Sequence, residues 1–373
     1  MKKALIHDWY YVNGGAEKVI HSINNIWDDF DHFALIDFLD DKDRNAIFTG
    51  KNKKVNTSFI QKLPTAKMNH RKFLQLFPLA IEQFDLSSYD LIVSSSASVA
   101  KGVITNSNQL HISYVHSPMR YAWDLYHQYL KESNLKGIKG WYAKKVLSSI
   151  RIWDVINTNR VDYIIANSNY ISRRIKKVYR RDAKVIYPPV DIDNFSLEET
   201  KKEYYITASR LVSYKKIGLI VEAFSKMPNK ELFVIGDGPE MNNIKAKATE
   251  NINLLGHVSF LEMINYLQKA KTFIFAAEED FGIVPVEAQA CGTPVLAFGK
   301  GGALETIESG ISGTFFYKQS VEAIIDGVKR MDTIKFNPIE VRRNAEKFSK
   351  ERFEIEFKQT VDDLYQKWEN NKL

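Results

Sequence analysis

Two glutamates, Glu279 and Glu287, frame a segment that ends a predicted strand and begins a predicted helix. Their side chains span a loop-to-helix junction, so both can reach one elongated ligand and hydrogen-bond its hydroxyl groups. Between them a glycine turn exposes the backbone N–H groups of Gly282, Ile283 and Val284, which can bind hydroxyls or negatively charged oxygens. The alternative is that the acids merely favour the helix N-terminus, an effect of a few tenths of a kcal/mol each.

Cationic side chains follow the first predicted strand of the same half of the chain. Arg210 offers a planar fork and Lys215 a point charge, a combination that suits a diphosphate and neutralises the charge that grows as a phosphate leaves. Lys215 and Lys216 compete for this role. Gly236, at the end of the next predicted strand, can let a base or a ribose approach the backbone closely.

The first half of the chain holds two further candidate sites. Gly14 and Gly15 lie between a predicted strand and a predicted helix, where backbone N–H groups can approach a phosphate, although a plain tight turn explains them equally well. His116 is placed at the C-terminal end of a predicted strand, where it can hydrogen-bond a sugar hydroxyl or handle a proton. A structurally satisfied histidine is the alternative.

Short apolar runs that alternate with amphipathic stretches must position these residues. Such runs, separated by helical segments, predict parallel sheets covered on both faces, and because the pattern occurs twice we expect an α/β protein with two doubly wound Rossmann-like domains. Ligands bind at the carboxyl ends of such strands, so a cleft between facing domains is the expected site. The predicted strands are 4–7, 33–36, 91–94, 112–115, 163–166, 184–187, 204–207, 232–235, 252–255, 272–275 and 294–297.

Two consecutive prolines, Pro188 and Pro189, mark the predicted domain boundary because they stop regular structure and stiffen the connection. We therefore expect a first domain over 1–190 and a second over 191–350. The segment 351–373 has a helical period with charge on one face, and it is predicted to be a C-terminal helix that can pack back on the first domain.

Composition excludes several classes of protein. The single cysteine, Cys291, excludes an internal disulfide and a cysteine-based zinc site, and its apolar neighbours indicate a buried residue. No apolar run reaches the roughly 18 residues of a membrane-spanning helix, and the N-terminus lacks the features of a signal peptide, so a cytoplasmic location is expected. Neither half carries the glycine fingerprint of a dinucleotide-dependent dehydrogenase.

Charge is unevenly distributed along the chain. Residues 1–190 contain 28 Lys and Arg against 17 Asp and Glu, whereas the remainder contains 24 against 28. This asymmetry indicates that the first half faces an anionic partner, and a lysine-rich solvated surface is the alternative. The basic residues form no recognisable nucleic-acid-binding motif, so nucleic acid is not the expected partner.

The chain resembles the retaining GT-B glycosyltransferases of family four, and within them the bacterial polysaccharide and O-antigen mannosyltransferases. Glu279 and Glu287 match that family's pair of glutamates, and Arg210 with Lys215 resembles its diphosphate clamp, although Ser209 replaces a common glycine. Further matching segments are HDW at 7–9, GGAE at 14–17, YVHSP at 114–118, CGTPV at 291–295 and GGALET at 301–306.

The resemblance implies a role for each candidate residue. Arg210 and Lys215 hold the nucleotide diphosphate, and Glu287 hydrogen-bonds the ribose. Glu279 lies at the hydroxyls and reacting face of the donor sugar, together with the N–H groups of Phe281, Gly282, Ile283 and Val284.

In the first domain, which the resemblance makes the acceptor side, Gly15 approaches the phosphate or acceptor and His116 contacts the donor sugar near the transferred carbon. Family-four enzymes retain the anomeric configuration by front-face departure of the leaving group. Positive side chains neutralise the diphosphate, so the resemblance implies neither a metal nor another cofactor.

The resemblance makes GDP-mannose the expected donor and a polyprenyl-diphosphate-linked or polysaccharide glycan the expected acceptor, with a UDP- or dTDP-sugar as the alternative donor. Segments 135–147 and 62–73 interleave apolar, aromatic and basic residues, as an interfacial helix does. They predict peripheral contact with an anionic membrane, and ordinary amphipathic core helices are the alternative. The resemblance implies that this contact lies at the inner face of the cell membrane. A non-catalytic module that binds anionic lipid is the alternative from another class.

Overall fold

The computed structural model describes residues 1–49, 54–132 and 135–370 of the chain. These residues form two compact units: unit 1 contains 1–189 together with the tail from 353, and unit 2 contains 190–352. The last three residues of the predicted C-terminal helix, 371–373, lie outside the described part.

Unit 1 is built on a parallel sheet with the strand order β3-β2-β1-β4-β5-β6-β7. Its strands are β1 (Lys3–His7), β2 (Phe30–Ala34), β3 (Val55–Thr57), β4 (Leu91–Ser96), β5 (Leu110–Val115), β6 (Tyr163–Ala166) and β7 (Lys184–Val185). Its helices are α1 (Gly15–Ile26), α2 (Asp41–Ile47), α3 (Ala66–Asn69), α4 (Phe77–Glu82), α5 (Tyr126–Glu132), α6 (Gly137–Asn157) and α7 (Asn169–Tyr179). Short 3-10 helices occupy Phe59–Lys62, His70–Leu76, Ala100–Gly102 and Thr158–Arg160.

Unit 2 has a second parallel sheet, with the order β10-β9-β8-β11-β12-β13. Its strands are β8 (Tyr204–Ala208), β9 (Glu231–Ile235), β10 (Ile252–Gly256), β11 (Thr272–Phe275), β12 (Val295–Phe298) and β13 (Gly313–Phe316). Its helices are α8 (Ile217–Ser225), α9 (Met241–Lys245), α10 (Phe260–Lys269), α11 (Ile283–Ala290), α12 (Ala303–Thr306), α13 (Val321–Thr333) and α14 (Pro338–Glu346). Short 3-10 helices lie at Ile192–Asn194 and Ser213–Lys215.

The tail forms one long helix, α15 (Lys350–Asn370), whose apolar side chains complete the core of unit 1. Phe353, Phe357 and Val361 are buried among residues of the central strands, including Leu5 and Tyr114. Burial of two phenylalanine side chains stabilises this packing by about 1.5–3 kcal/mol each. The tail is therefore part of the core of unit 1.

Both sheets reverse their strand order at the first strand of the unit, between β1 and β4 and between β8 and β11. In open α/β sheets the loops on either side of such a reversal diverge and leave a crevice at the carboxyl edge, where ligands bind. The topology therefore predicts ligand-binding residues in the segments that follow β1, β4, β8 and β11.

Strand prediction was wrong at one element and incomplete at two others. The second strand runs from Phe30 to Ala34 rather than over 33–36, because the ladder with β1 starts at Phe30 and ends at Ala34. The charged neighbours of Phe30 hid this start. β3 and β13 escaped prediction, since β3 has a polar residue, Asn56, at its centre and β13 begins with Gly313.

One buried histidine of unit 1 makes its stability depend on pH. The ring of His111 on β5 contacts the Ser94 hydroxyl at 2.8 Å, and burial, assisted by the charge of Lys101, lowers the pKa of His111 from 6.5 to about 4. The unfolded chain therefore binds more protons than the folded chain below pH 6.5, so stability is lost as the pH falls toward 4.

On going from pH 6.5 to pH 5, we expect His111 to lower the free energy of unfolding by about 2 kcal/mol. All six tryptophans lie in unit 1, so urea unfolding followed by tryptophan fluorescence reports on this unit. His111→Gln is expected to remove that part of the pH dependence, and His257→Gln, at an exposed position of unit 2, serves as the control. An unchanged pH dependence in His111→Gln would contradict the prediction.

Candidate functional site

The segment after β8 carries the predicted diphosphate-binding side chains. Arg210 is exposed directly beyond the strand end, and Lys215 ends the 3-10 helix Ser213–Lys215. Lys216 has a left-handed backbone, with a φ of 58°, and its side chain lines a different concavity beside α8 and Glu240. The structure thus separates the two competing lysines, and Lys215 is the one that faces the segment after β11.

Lys215 and Glu279 form an ion pair between the segments that follow β8 and β11. Both side chains are more than four-fifths buried, so solvent screens their attraction less than on an open surface. This pair lies at the reversal of strand order in unit 2, where the topology predicts a ligand crevice.

The backbone around Glu279 is fixed by two glycines of the segment after β12. The N–H of Gly302 donates to the carbonyl oxygen of Glu279 at 2.8 Å. A Cβ on Gly301 would lie 2.4 Å from that oxygen, and one on Gly302 would lie 2.3 Å from the Cα of Phe281. Only glycine permits this approach, which explains the paired glycines of the GGALET segment.

The helix α11 begins immediately beyond this pair. Gly282 precedes it with a φ of 92°, a left-handed conformation that suits glycine, and the half-buried Ile283 and Val284 form its first turn. Glu287 lies further along the helix and is only 3% exposed, whereas the ring of Phe281 packs against Phe348 in the core. The backbone N–H of Phe281 can therefore contact a ligand, whereas its ring packs in the core.

Gly236 lies against the protein's own backbone. Its φ is 127°, and a Cβ there would lie 1.8 Å from the carbonyl oxygen of Ser209. The segments that follow β8 and β9 can run side by side only because this residue is glycine. The need for glycine therefore has a structural cause, independent of the donor-side role predicted for it.

The candidate residues of unit 1 lie at its own reversal of strand order. His116 is half-buried directly after β5, and its Nε2 contacts the Ser95 hydroxyl at 2.8 Å. Burial, together with the charge of His7, lowers the pKa of His116 to about 3, so its ring is neutral near pH 7. Gly15 is the exposed first residue of α1.

Sequence reasoning missed the buried groups that support this edge of the sheet. The Asp8 carboxylate accepts four backbone N–H bonds of 2.6–2.9 Å from the turn after β4, at Ala97, Ser98, Val99 and Ala100. Asp8 directly follows the first strand in the HDW segment, which was the available signal.

A second missed network lies deeper in unit 1. The Lys101 ammonium, 2% exposed, donates to Asp154 Oδ1 at 2.6 Å and to Asn157 Oδ1 at 2.6 Å. The other carboxylate oxygen of Asp154 accepts from the Trp123 indole and the Tyr179 hydroxyl, each at 2.8 Å. A lysine embedded in the apolar run 99–103 was the only hint in the sequence.

The sequence also led us to expect a buried Cys291, no cysteine-based zinc site and no membrane-spanning helix. Cys291 is buried, which confirms that prediction, and burial raises the pKa of its thiol to about 12. Among the described residues, no group of three or more histidine, cysteine or acidic side chains is arranged to hold a metal ion. None of the helices in the described ranges is long and apolar enough to cross a membrane.

Two family profiles match the chain almost end to end. The profile described as Glycosyltransferase Family 4 matches residues 14–194, and the profile described as Glycosyl transferases group 1 matches residues 191–352. The chain belongs to the group 1 glycosyltransferases of family four. The profile matches include the segments that carry Lys215, Glu279 and His116.

Curated relatives match this glycosyltransferase over part of its length. A GDP-mannose-dependent monoacylated alpha-(1-6)-phosphatidylinositol monomannoside mannosyltransferase from Corynebacterium glutamicum is 30% identical over 178 residues, which cover 39% of this chain and 47% of the relative. A D-inositol 3-phosphate glycosyltransferase from Mycobacterium marinum is 27% identical over 201 residues, covering 46% of this chain and 43% of the relative. The matches thus span less than half of these relatives.

Solved structures match the fold over nearly the whole glycosyltransferase. Anabaena Alr3699/HepE in complex with UDP has a TM-score of 0.68 at 17% identity and covers 97% of this chain and 100% of that one. Sucrose-phosphate synthase from Thermosynechococcus elongatus has a TM-score of 0.71 at 15% identity, with 98% and 100% covered. The prediction of an α/β protein with two Rossmann-like sheets and the GT-B fold is confirmed.

Proposed function

We propose that this chain is a retaining hexosyltransferase that moves a sugar, with mannose from GDP-mannose the expected case, onto a lipid-linked or polysaccharide glycan. One observation carries the proposal: the partly buried Lys215–Glu279 pair at the ligand crevice of unit 2. A cation held beside a carboxylate, next to the start of a helix, suits a ligand that combines a diphosphate with sugar hydroxyls.

The proposed reaction needs charge stabilisation at the leaving group. The bond between the anomeric carbon and the diphosphate oxygen breaks, and the acceptor oxygen bonds to that carbon on the same face. The acceptor hydroxyl gives its proton to the departing phosphate, so the products are a glycoside and a nucleoside diphosphate. Arg210 and Lys215 bind the diphosphate and stabilise its growing negative charge, which lowers the barrier to departure.

The other candidate residues of each unit have proposed roles of their own. Glu279 and the backbone of the first turn of α11 bind the hydroxyls of the donor sugar, and Glu287 binds the ribose. Gly15 approaches a phosphate or the acceptor, and Gly236 shapes the donor side. His116 contacts a substrate sugar as a neutral imidazole, because its lowered pKa leaves it uncharged near pH 7.

Mannose is favoured by the similarity to the Corynebacterium relative, a GDP-mannose-dependent mannosyltransferase. The test offers GDP-mannose, UDP-glucose, UDP-galactose and dTDP-glucose to the purified protein with a polyprenyl-diphosphate-linked glycan. NMR of the product then gives the anomeric configuration. Transfer from GDP-mannose with retention supports the proposal, transfer from a UDP- or dTDP-sugar discards mannose, and no transfer from any donor contradicts it.

Because side chains provide the positive charge, we expect EDTA to leave transfer unchanged.

Peripheral contact with an anionic membrane, at the inner face of the cell membrane, is a further part of the proposal. On α6 the side chains of Ile138 and Trp141 are 85% and 63% exposed, and Lys145 lies over the Trp141 ring at 5.5 Å. The Tyr142 hydroxyl donates to Oε1 of Gln75, a residue of the 3-10 helix His70–Leu76 that overlaps the end of the basic segment 62–73. Exposed apolar side chains among lysines are typical of an interfacial helix.

Flotation with vesicles that contain phosphatidylglycerol tests this contact. We expect the wild type to float with the vesicles and the double variant Ile138→Ser/Trp141→Ser to lose most of that binding. Leu261→Ser, which removes an exposed apolar side chain from unit 2, is the matched control and should float normally. A wild-type protein that stays with the unbound fraction would contradict membrane contact.

A further inference from the structure

A chain of polar groups crosses the carboxyl edge of the sheet in unit 1. His7, the last residue of β1, pairs in register with Ser95 of β4, and the next strand, β5, leads into His116. The His7 Nδ1 contacts the Ser95 carbonyl at 3.2 Å, and the Ser95 hydroxyl contacts His116 Nε2 at 2.8 Å. On the other side, His7 Nε2 lies 3.3 Å from Glu17 Oε1 on α1.

The partners of His7 define its protonation. A carbonyl oxygen only accepts, so Nδ1 must carry a proton to bond Ser95, and Nε2 must carry one to donate to the Glu17 carboxylate. Both nitrogens are then protonated, which makes His7 a cation paired with Glu17. Burial alone would lower the pKa of His7, but the hydrogen bond and charge of Glu17, the charge of Asp8 and the bond to the Ser95 carbonyl together raise it.

The charged and titratable groups around His7 come from each element packed against it. Besides Glu17 on α1, they are Asp8, whose carboxylate is taken up by four backbone N–H groups, the Tyr10 ring at 5.0 Å, and His116 beyond Ser95. His116 in turn faces the Tyr114 ring at 5.1 Å. The positive charge of His7 therefore disfavours a second positive charge on His116.

Glu17 also reaches the glycine pair at the start of α1. Its second carboxylate oxygen accepts from the backbone N–H of Gly14 at 3.0 Å. One carboxylate thus connects the loop that precedes α1 to the histidine that ends β1, and Ser95 continues the connection to His116.

We propose that the buried Glu17–His7 ion pair is a positioning device that, through Ser95, holds His116 in one orientation and adds to the effect of burial in keeping its ring neutral. This inference rests on the proposed function, because it assumes that His116 contacts a substrate sugar. Glu17, His7 and Ser95 are positioning residues that act through His116. A neutral imidazole can both donate a hydrogen bond to a sugar hydroxyl and accept one from it.

The direct test is titration of the His116 ring by NMR with ¹⁵N-labelled histidine, assigned with His116→Gln. Glu17→Gln keeps the length of the side chain and an oxygen for the Gly14 N–H, but it removes the charge that keeps His7 protonated. We expect the pKa of His116 to rise by about one unit in Glu17→Gln and in His7→Gln. Lys18→Gln, which removes a charge from the same turn of α1, should leave it unchanged.

Activity gives a second, independent readout. We expect Glu17→Gln to lower kcat for transfer about tenfold and to move the acid limb of its pH profile, while nucleoside diphosphate affinity stays at the wild-type value. An unchanged His116 titration in both variants would overturn the inference. If His116 titrates as expected but the wild type transfers no sugar, the coupling stands and the role in transfer is overturned along with the proposed function.

Discussion

Lys215→Met is expected to lower kcat/KM for sugar transfer by about 100- to 1,000-fold. The variant keeps the length of the side chain but removes the cation that faces Glu279 at the crevice of unit 2. Without it, the charge that develops on the departing diphosphate loses a preorganised partner in a partly buried site, and Glu279 loses its counter-charge. Initial rates at several donor concentrations measure the effect.

The neighbouring residue provides a matched control for Lys215→Met. Lys216→Met removes the same charge one position along the chain, from a side chain that lines a different concavity. A φ of 58° disfavours lysine and methionine alike, because both carry a side chain. The substitution therefore leaves the backbone strain at this position similar. We expect this variant to stay within about threefold of the wild type. Equal losses in the two variants would show that only the overall charge of the loop matters.

Lys101→Met should lower the free energy of unfolding of unit 1 by about 3–5 kcal/mol. Asp154 is fully buried, and loss of its cation leaves a carboxylate whose remaining hydrogen bonds within the described part of the chain come from the Trp123 indole and the Tyr179 hydroxyl. The cost of an uncompensated buried charge exceeds what the apolar methionine regains. Urea unfolding followed by tryptophan fluorescence measures the change.

An exposed lysine of the same unit gives the comparison for this second prediction. Lys144→Met, on the exposed side of α6, should change the free energy of unfolding by less than about 0.5 kcal/mol. If Lys101→Met also fell in that range, the Lys101–Asp154 pair would be no more important than a solvated ion pair.

The sequence predicted the fold class because apolar strands and amphipathic helices leave a strong periodic signal. It also predicted which residues follow strand ends, so Arg210, Lys215, Glu279 and His116 were identified before their surroundings were known. Parallel strands direct their carboxyl ends to one edge, which makes this inference independent of exact strand bounds.

Contacts between segments distant in the chain could not be predicted in the same way. Residue type and local pattern do not distinguish Lys215 from Lys216, because the difference arises from the left-handed backbone at Lys216 and from the position of Glu279. Lys101 and Asp154 lie in two separate elements, and the hydrophobic periodicity of the sequence does not indicate that they pair. The requirement for glycine at 236 depends on a carbonyl of another segment.

Calorimetric titration with GDP, UDP and dTDP, of the wild type and of Lys215→Met, tests the central claim most directly. The account predicts that the wild type binds a nucleoside diphosphate, GDP most tightly, and that Lys215→Met weakens this binding at least tenfold while Lys216→Met does not. Binding that is indifferent to Lys215, or no binding of any of the three nucleotides, would contradict the claim that the crevice of unit 2 is the donor site.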